Sequence, residues 1–461
     1  MSPRLWPLMI TLLLSCLFLS LSGADPAHSS DLPPRLLIGY WHNWIGSPLS
    51  LRITEIPEEF DLINIAFAVP NVIYGSQMQF SPDPGIYPYI DEFVSDIDLL
   101  QSQGKKVQIS IGGATGPIQL HDQEDIDDFV TSMSAIITMY GFDGIDIDLE
   151  GQSLFLEAGD SDYRYPTSPL IVNFITATNQ LLETMPEDFT LTMAPETAYV
   201  QGGYQTYGGI WGAYLPVIHA LRDRLTLLHV QHYNTGSMFG GDGVVYYPAT
   251  ADFHVAMSDM LLAGFSVDHW GANIWFEPLR PDQILIGLPA APEAAGSGYT
   301  EPAIVHDALN YLILGQSFGG AYLLANPAGY DELRGLMTWS ANWDVDYDRL
   351  FSWTHRQYLD NLFLSDANDR EAYIAAISAS LTNWPNPFTE TTIQYRLPGD
   401  AEVDLSLFDI AGRQVTTLVH AHQDAGVYNI PFSGRSLSQS IYWYRLRAGD
   451  TIVTKQLNPI R

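Results

Sequence analysis

The chain has 461 residues, 46% hydrophobic and 16% charged, with 53 Asp and Glu against 20 Lys and Arg and a net charge of −33. The length exceeds one ordinary domain, and the composition is that of a protein with a sizeable core, which excludes a disordered chain. So acidic a surface excludes nucleic acid and anionic polymers as partners and leaves neutral polysaccharides open.

Residues 1–24 read as a secretory leader. Arg4 gives a basic start, Leu5 to Leu21 is almost wholly apolar, and Ser22-Gly23-Ala24 offers small residues for cleavage before Asp25. Removal predicts a secreted protein, extracellular or held at the cell surface. Cys16 is the one cysteine of the chain. Its loss with the leader excludes disulfides, a thiol nucleophile and a cysteine metal site.

Residues 25–365 alternate short β-rich runs with helical stretches. The strands are expected at Leu36–Tyr40, Leu62–Phe67, Val107–Ile111, Gly144–Glu150, Thr190–Ala194, Thr226–Tyr233, Ile284–Leu288 and Gly335–Trp339. Eight such units predict an α/β fold, a closed (β/α)8 TIM barrel. The alternative, a doubly wound open sheet, lacks its glycine-rich phosphate loop after the first strand. Between the seventh and eighth strands only a helix (Pro302–Leu314 and nearby) is expected.

The informative stretch is Asp143-Gly144-Ile145-Asp146-Ile147-Asp148-Leu149-Glu150-Gly151. Strand side chains alternate faces, so Asp146, Asp148 and Glu150 share one face and the aliphatic residues the other. Successive acids lie about 7 Å apart. Inside a barrel their mutual repulsion and desolvation raise at least one pKa, leaving a protonated carboxyl suited to general-acid work on a leaving oxygen. An acidic surface strand and a magnesium or calcium site are the rival readings of the same residues. Asp143 has the opposite parity and is expected to shape the Asp-Gly turn. His229 and His232 point to opposite faces, and His42, His121 and His254 are scattered, so no histidine metal pattern appears and neither a metal nor another cofactor is expected.

Past a linker at residues 366–383, the Pro385-Asn386-Pro387-Phe388 breaker cluster opens a run of short alternating strands over residues 384–461. This predicts a small C-terminal all-β sandwich. Its single tryptophans, Trp384 and Trp443, are expected in the core.

The pattern Asp143-x-x-Asp146-x-Asp148-x-Glu150 resembles the signature of the family 18 glycoside hydrolases, the chitinases and their relatives. Ser110-Ile111-Gly112-Gly113, Gln231-His232-Tyr233-Asn234, Met337-Thr338-Trp339-Ser340 and Gly287-Leu288-Pro289-Ala290 resemble its other strand ends, in order, across about 310 residues. The resemblance implies a retaining, substrate-assisted chitinase acting on chitin or chitooligosaccharides as a monomer; the connection between the seventh and eighth strands is too short for the α+β insertion some chitinases carry there, which predicts an open cleft and endo cleavage. It implies Glu150 as acid and then base, Asp148 orienting the substrate acetamido group, Asp146 as the charge partner of Asp148, Tyr233 as donor to the acetamido oxygen, and Trp339 as the floor of the sugar site. Tyr40, Phe67, Gln231, Asn234 and Met193 are the further substrate-binding candidates, Glu196 is placed with Met193 at the cleft, and Trp41, Trp44, Trp211 and Trp343 are candidate stacking surfaces. An endo-β-N-acetylglucosaminidase acting on N-glycans and a non-catalytic chitin-binding lectin are the alternatives. The tail resembles the C-terminal sorting domains of type nine secretion cargo, which implies a secretion-machinery partner; a carbohydrate-binding module is its rival.

Overall fold

The computed structural model describes residues 32–362, 381–397, 401–408, 413–423, 426–437, 441–448 and 451–460. The expected leader and residues 366–380 of the expected linker lie outside the described residues. Eight parallel strands form the ring: β1 Leu36–His42, β2 Leu62–Pro70, β3 Lys106–Gly112, β4 Gly144–Asp148, β5 Thr190–Met193, β6 Leu227–Gln231, β7 Ile284–Pro289 and β8 Gly335–Trp339. Each pairs with its neighbours in sequence, and β1 pairs with both β2 and β8, so the sheet closes. Helices α1 Ile90–Ser102, α2 Gln123–Tyr140, α3 Pro169–Glu183, α4 Leu215–Leu221, α5 Ala251–Ala263, α6 Pro302–Leu314, α7 Ala341–Asp346 and α8 Leu350–Asn361 complete the units. Local signals set their ends. In α2, the Asp122 carboxylate accepts from the backbone of Glu124 and Asp125, and Gly141 closes the helix at φ 71°. Among the described residues no helix is long and apolar enough to cross a membrane.

Alternation divides the strand residues between two cores. Ile109, Ile111, Ile145, Ile147, Leu191, Val230 and Ile286 pack outward with the helices. Leu36, Ile38, Leu62, Leu227, Leu285 and Met337 fill the barrel. Next to this plug sits a polar layer: Gln108 donates to Asn64 (2.7 Å) and Thr192 (2.5 Å) and accepts from Thr190 (2.7 Å). A buried polar layer survives when its groups are paired, and here it supports the acids that follow it along the strands.

Met193 is a correction. It belongs to the outer core and is fully buried there, because Thr192, one position earlier, is the residue of β5 that faces the barrel axis and reaches Asp146. Trp41 is likewise buried outside the ring, its indole donating to the Leu51 carbonyl. It offers no face to a sugar.

The C-terminal strands are β9 Thr382–Trp384, β10 Glu390–Leu397, β11 Ala401–Phe408, β12 Gln414–Gln423, β13 Gly426–Ser433, β14 Tyr442–Ala448 and β15 Thr451–Leu457. They form antiparallel sheets ordered β9-β10-β13 and β12-β11-β14-β15. Ile393 and Tyr395 of one sheet share a core with Leu405, Tyr444 and Leu457 of the other. Leu381 already belongs to that core, so the unit starts slightly before residue 384. The two tryptophans do not: Trp384 is 81% exposed and Trp443 41%. They lie at positions whose alternate neighbours, such as Tyr444, face inward.

Candidate active site

The C-terminal end of β4 is held unusually firmly. Gly112 and Gly113, both at positive φ, bring the end of β3 against it, and Gly113 donates to the Asp148 carbonyl at 2.7 Å. A Cβ on Gly113 would stand 2.7 Å from the Phe67 ring, so only glycine fits. Leu149 N donates to the Tyr214 hydroxyl at 2.6 Å, and the Tyr199 hydroxyl donates to the Gly151 carbonyl at 2.5 Å. Glu150 is therefore bracketed on both sides by tyrosine hydroxyls fixing its backbone. The ladder ends at Asp148 rather than Glu150, and at Gln231 rather than Tyr233, because Gly151 and Asn234 turn with φ of 65° and 50°.

Asp146, Asp148 and Glu150 face the barrel axis, as alternation requires. Asp146 is fully buried and saturated with donors: Tyr40 Oη at 2.5 Å, Ser110 Oγ at 2.7 Å and Thr192 Oγ1 at 2.6 Å, with His229 Nε2 3.3 Å away. Burial pushes its carboxyl up, but His229, Thr192 and Tyr40 together outweigh that, and the net direction is down. Asp148, also buried, goes the other way. Desolvation first, then the charges of Glu150, Asp146 and Glu196, raise it well above the carboxylate range. The surroundings thus push the two acids in opposite directions, Asp146 down and Asp148 up, as close buried carboxyls in unequal environments are pushed. Glu150 is half-buried and is raised by desolvation. Glu196, at the end of β5, is pushed up to about 7 by burial and by Glu150.

Gln231 ties the acids together. Its amide nitrogen donates to Asp148 Oδ1 at 3.0 Å and to the Ala194 carbonyl at 2.9 Å, and lies 3.5 Å from Glu150 Oε1. Tyr233 is buried beside them. Desolvation and the charges of Asp148, Glu150, Asp146 and Glu196 keep its phenol protonated, and so a donor. Trp339 is half-buried in an aromatic wall. Its ring centroid lies 5.5 Å from Tyr40, 5.8 Å from Phe67 in a near-parallel stack, 4.8 Å from His42 and 6.3 Å from Trp44.

The structure therefore brings together Glu150, Asp148, Asp146, Tyr233, Trp339, Tyr40, Phe67 and Gln231. Asn234 is exposed, and its side-chain Oδ1 accepts from the Gly296 backbone N at 2.7 Å. Asp143 serves structure, accepting from Val107 N and Gln101 Nε2 at 2.8 Å. Trp211 and Trp343 pack against the outer core, and Trp44 alone of the four candidate stacking tryptophans joins the wall. Sequence reasoning missed His229, Thr192, Tyr199 and Tyr214. The signal for His229 was present, since it shares parity with Gln231 and Tyr233 on β6. Among the described residues no group of three or more His, Cys, Asp or Glu could hold a metal ion. Hydroxyl and amide groups donate to Asp146 and Asp148.

Comparison with known proteins agrees with this geometry. Residues 36–301 match the model described as "Glycosyl hydrolases family 18". Chitinase D of Niallia circulans is 53% identical over 353 residues, covering 76% of this chain and 67% of the relative. Chitinase Chi52 of Paenibacillus xylanexedens is 53% identical over 347 residues, covering 74% and 65%. This chain thus spans about two thirds of the length of these relatives. Among solved structures, a family GH18 chitinase from Chromobacterium violaceum superimposes with a TM-score of 0.65 at 36% identity, covering 74% of this chain and 91% of that one.

Proposed function

We propose that this chain, which belongs to the family 18 glycosyl hydrolases, is a secreted chitinase that cleaves β-1,4-linked N-acetylglucosamine polymers with retention. The observation that carries the reading is the placement of three acids in a row at the C-terminal end of β4: Asp146 buried among the hydroxyls of Tyr40, Ser110 and Thr192, Asp148 buried under the Gln231 amide, and Glu150 half-exposed beyond them.

In this scheme Glu150 gives its proton to the glycosidic oxygen as the bond from that oxygen to the anomeric carbon breaks. The substrate's own acetamido carbonyl oxygen bonds to the anomeric carbon from the other side, forming an oxazolinium ring. Asp148 orients the acetamido N–H and Tyr233 donates to its oxygen. Glu150, now a carboxylate, takes a proton from water, which attacks the anomeric carbon and reopens the ring. Two displacements at one carbon give net retention. Gln231 holds Asp148 and Glu150 in register. Phe67 lines the sugar floor with Trp339, Tyr40 supports it from the barrel core, and Asn234 pins the facing loop.

Residues 290–334 between β7 and β8 contain α6 and no strand. A connection this short supports internal cleavage over processive release from a chain end. Glu150, Asp148 and Tyr233 together favour an enzyme over a lectin. Digestion of chitin oligomers beside a high-mannose glycoprotein separates chitinase from endo-β-N-acetylglucosaminidase. For the mechanism, Glu150→Gln is assayed on colloidal chitin and on a chitotriose reporter. Turnover falls at least a hundredfold with binding retained, and the first product formed by the native enzyme is the β-anomer. An α-anomer first product sinks the scheme.

The tail is read as a sorting domain recognised by secretion machinery. One observation favours a second reading, a sugar-binding role. Trp384 stands 81% exposed beside an open groove lined by Pro385, Glu390, Thr392, Pro431 and Phe432. Export of a passenger fused to residues 381–461, set against its retention on chitin beads, decides between them.

A further inference from the structure

Tyr233 is held from behind by a hydrogen-bonded chain outside the barrel ring. His232 and Tyr233 are consecutive, so Tyr233 faces the site while His232 faces α5. His232 Nδ1 lies 3.1 Å from His254 Nδ1, on the first turn of α5. The two ring planes agree to within 4° with centroids 5.3 Å apart. That is an edge-to-edge pair, the geometry an in-plane N–H···N bond demands. His254 Nε2 lies 3.0 Å from Thr300 Oγ1, and Thr300 Oγ1 donates to the Gly298 carbonyl at 3.1 Å.

One assignment of protons satisfies all three contacts. The Gly298 carbonyl can only accept, so the Thr300 hydroxyl gives it its single proton. Thr300 must then accept from His254 Nε2–H. His254 carries no second proton when neutral, so its Nδ1 accepts from His232 Nδ1–H. Burial keeps His254 neutral, its pKa pushed down to about 3. The chain runs in a fixed direction, from the residue beside Tyr233, through helix α5, to the loop after β7.

That loop returns to Tyr233. Gly298 sits at φ 93°, and a Cβ there would meet Tyr233 Cα at 2.5 Å and Cβ at 2.7 Å. Asn234 N donates to the Ser297 carbonyl at 3.2 Å. Tyr233 is therefore closed between its own neighbour, which the chain ties to α5, and a glycine, which the same chain ties to α5 through Thr300.

We propose that His232, His254 and Thr300 are positioning residues for Tyr233, fixing its phenol for the substrate acetamido group without touching substrate. The inference rests on the role given to Tyr233 above and deepens it. Loss of the chain leaves Tyr233 present but misplaced, and misplacement of about 1 Å can lower the rate by about a hundredfold.

A double-mutant cycle tests this on the full chain. His254→Phe fills the space and breaks both ring contacts; Thr300→Val removes the hydroxyl, and with it the contacts to His254 and to Gly298, but leaves the His232–His254 pair. Each is measured on a chitooligosaccharide reporter alone and combined with Tyr233→Phe, with melting temperature recorded. Expected is a tenfold or greater fall in kcat for His254→Phe, a smaller one for Thr300→Val with little change in melting temperature, KM within about twofold, and no further fall in kcat when either is added to Tyr233→Phe. Independent, multiplicative losses would overturn the proposal and leave the chain as plain scaffolding. Full activity of Thr300→Val and His254→Phe would overturn it too. A fully active Tyr233→Phe would instead overturn the role of Tyr233 itself.

Discussion

The amide nitrogen of Gln231 stands 3.0 Å from Asp148 Oδ1 and donates to it across the barrel from β6 to β4. Its contact with Glu150 Oε1, at 3.5 Å, is at the limit of a hydrogen bond. Both contacts favour the ionised carboxylates and lower the pKa of each. Gln231→Leu removes the donor at nearly constant bulk. Both acids then rise, and the basic limb of kcat/KM, which follows the proton on Glu150, moves up by about one pH unit, the equivalent of ~1.4 kcal/mol. Turnover falls roughly tenfold as Asp148 loses its guide. A limb that stays put or moves down contradicts the role given to Gln231.

Burial first, and then the charge of Glu150, raise Glu196 to about 7 from an ordinary 4.5. A carboxyl raised in the folded state binds a proton more tightly there than in the unfolded chain. Its contribution to stability is complete below pH 4.5 and is lost as the pH rises to about 7. Glu196→Gln removes that loss, so the variant's melting temperature stays flatter than the native one between pH 4.5 and 7 and lies above it at pH 8. Thermal scans across this range check the sign. A variant that tracks the native curve shows that Glu196 is solvated.

Much of this site was legible because strand parity is a strict rule. Placing Asp146, Asp148 and Glu150 on one face of the strand needed nothing but alternation, whereas Gln231 and Tyr233 were reached through the resemblance of their strand end to the family's. What was not legible came from contacts between distant segments. Ser110 and Thr192 stand directly opposite Asp146 on the neighbouring strands β3 and β5, a matter of register, while Tyr40 and His229 reach it from β1 and β6, and only closure of the ring brings those two there. Met193 was misplaced for a related reason: its parity is fixed by Thr192, whose partner could not be seen in the sequence. The tail tryptophans were assigned to the core on habit of residue type, whereas the register of β14 turns Tyr444 inward and Trp443 out.

Asp143 separates folding from chemistry. Its carboxylate accepts from Val107 N and Gln101 Nε2 and lies 3.4 Å from Lys106 Nζ, tying β3 and α1 to the entry of β4. Asp143→Ala leaves the Val107 amide without its acceptor, a loss of about 1–3 kcal/mol. The melting temperature drops by several degrees while kcat at 25 °C stays within about twofold. A large fall in kcat with unchanged stability would place Asp143 in the reaction instead.

Trp41 and Trp44 make opposite predictions from neighbouring positions. Trp41 points away from the axis into the layer between β1 and α1, stacked 5.9 Å from Phe93, with its indole nitrogen held by the Leu51 carbonyl at 2.8 Å. Trp44 follows the end of β1, lies 4.2 Å from the buried His42 ring in a near-parallel stack, and meets Trp339 at 6.3 Å. Truncating a fully buried tryptophan leaves a cavity and loses about 3–5 kcal/mol. Trp41→Ala therefore unfolds at a clearly lower temperature, while the fraction that remains folded keeps its KM. Trp44→Ala removes a half-exposed ring that helps wall the sugar floor, so stability changes little and KM for chitooligosaccharides rises. A tenfold rise corresponds to ~1.4 kcal/mol of lost binding. Because Trp44 also covers His42, the added effect of His42→Ala should be smaller in the Trp44→Ala background than in the native one. Equal and independent effects would show that the two rings do not form one wall.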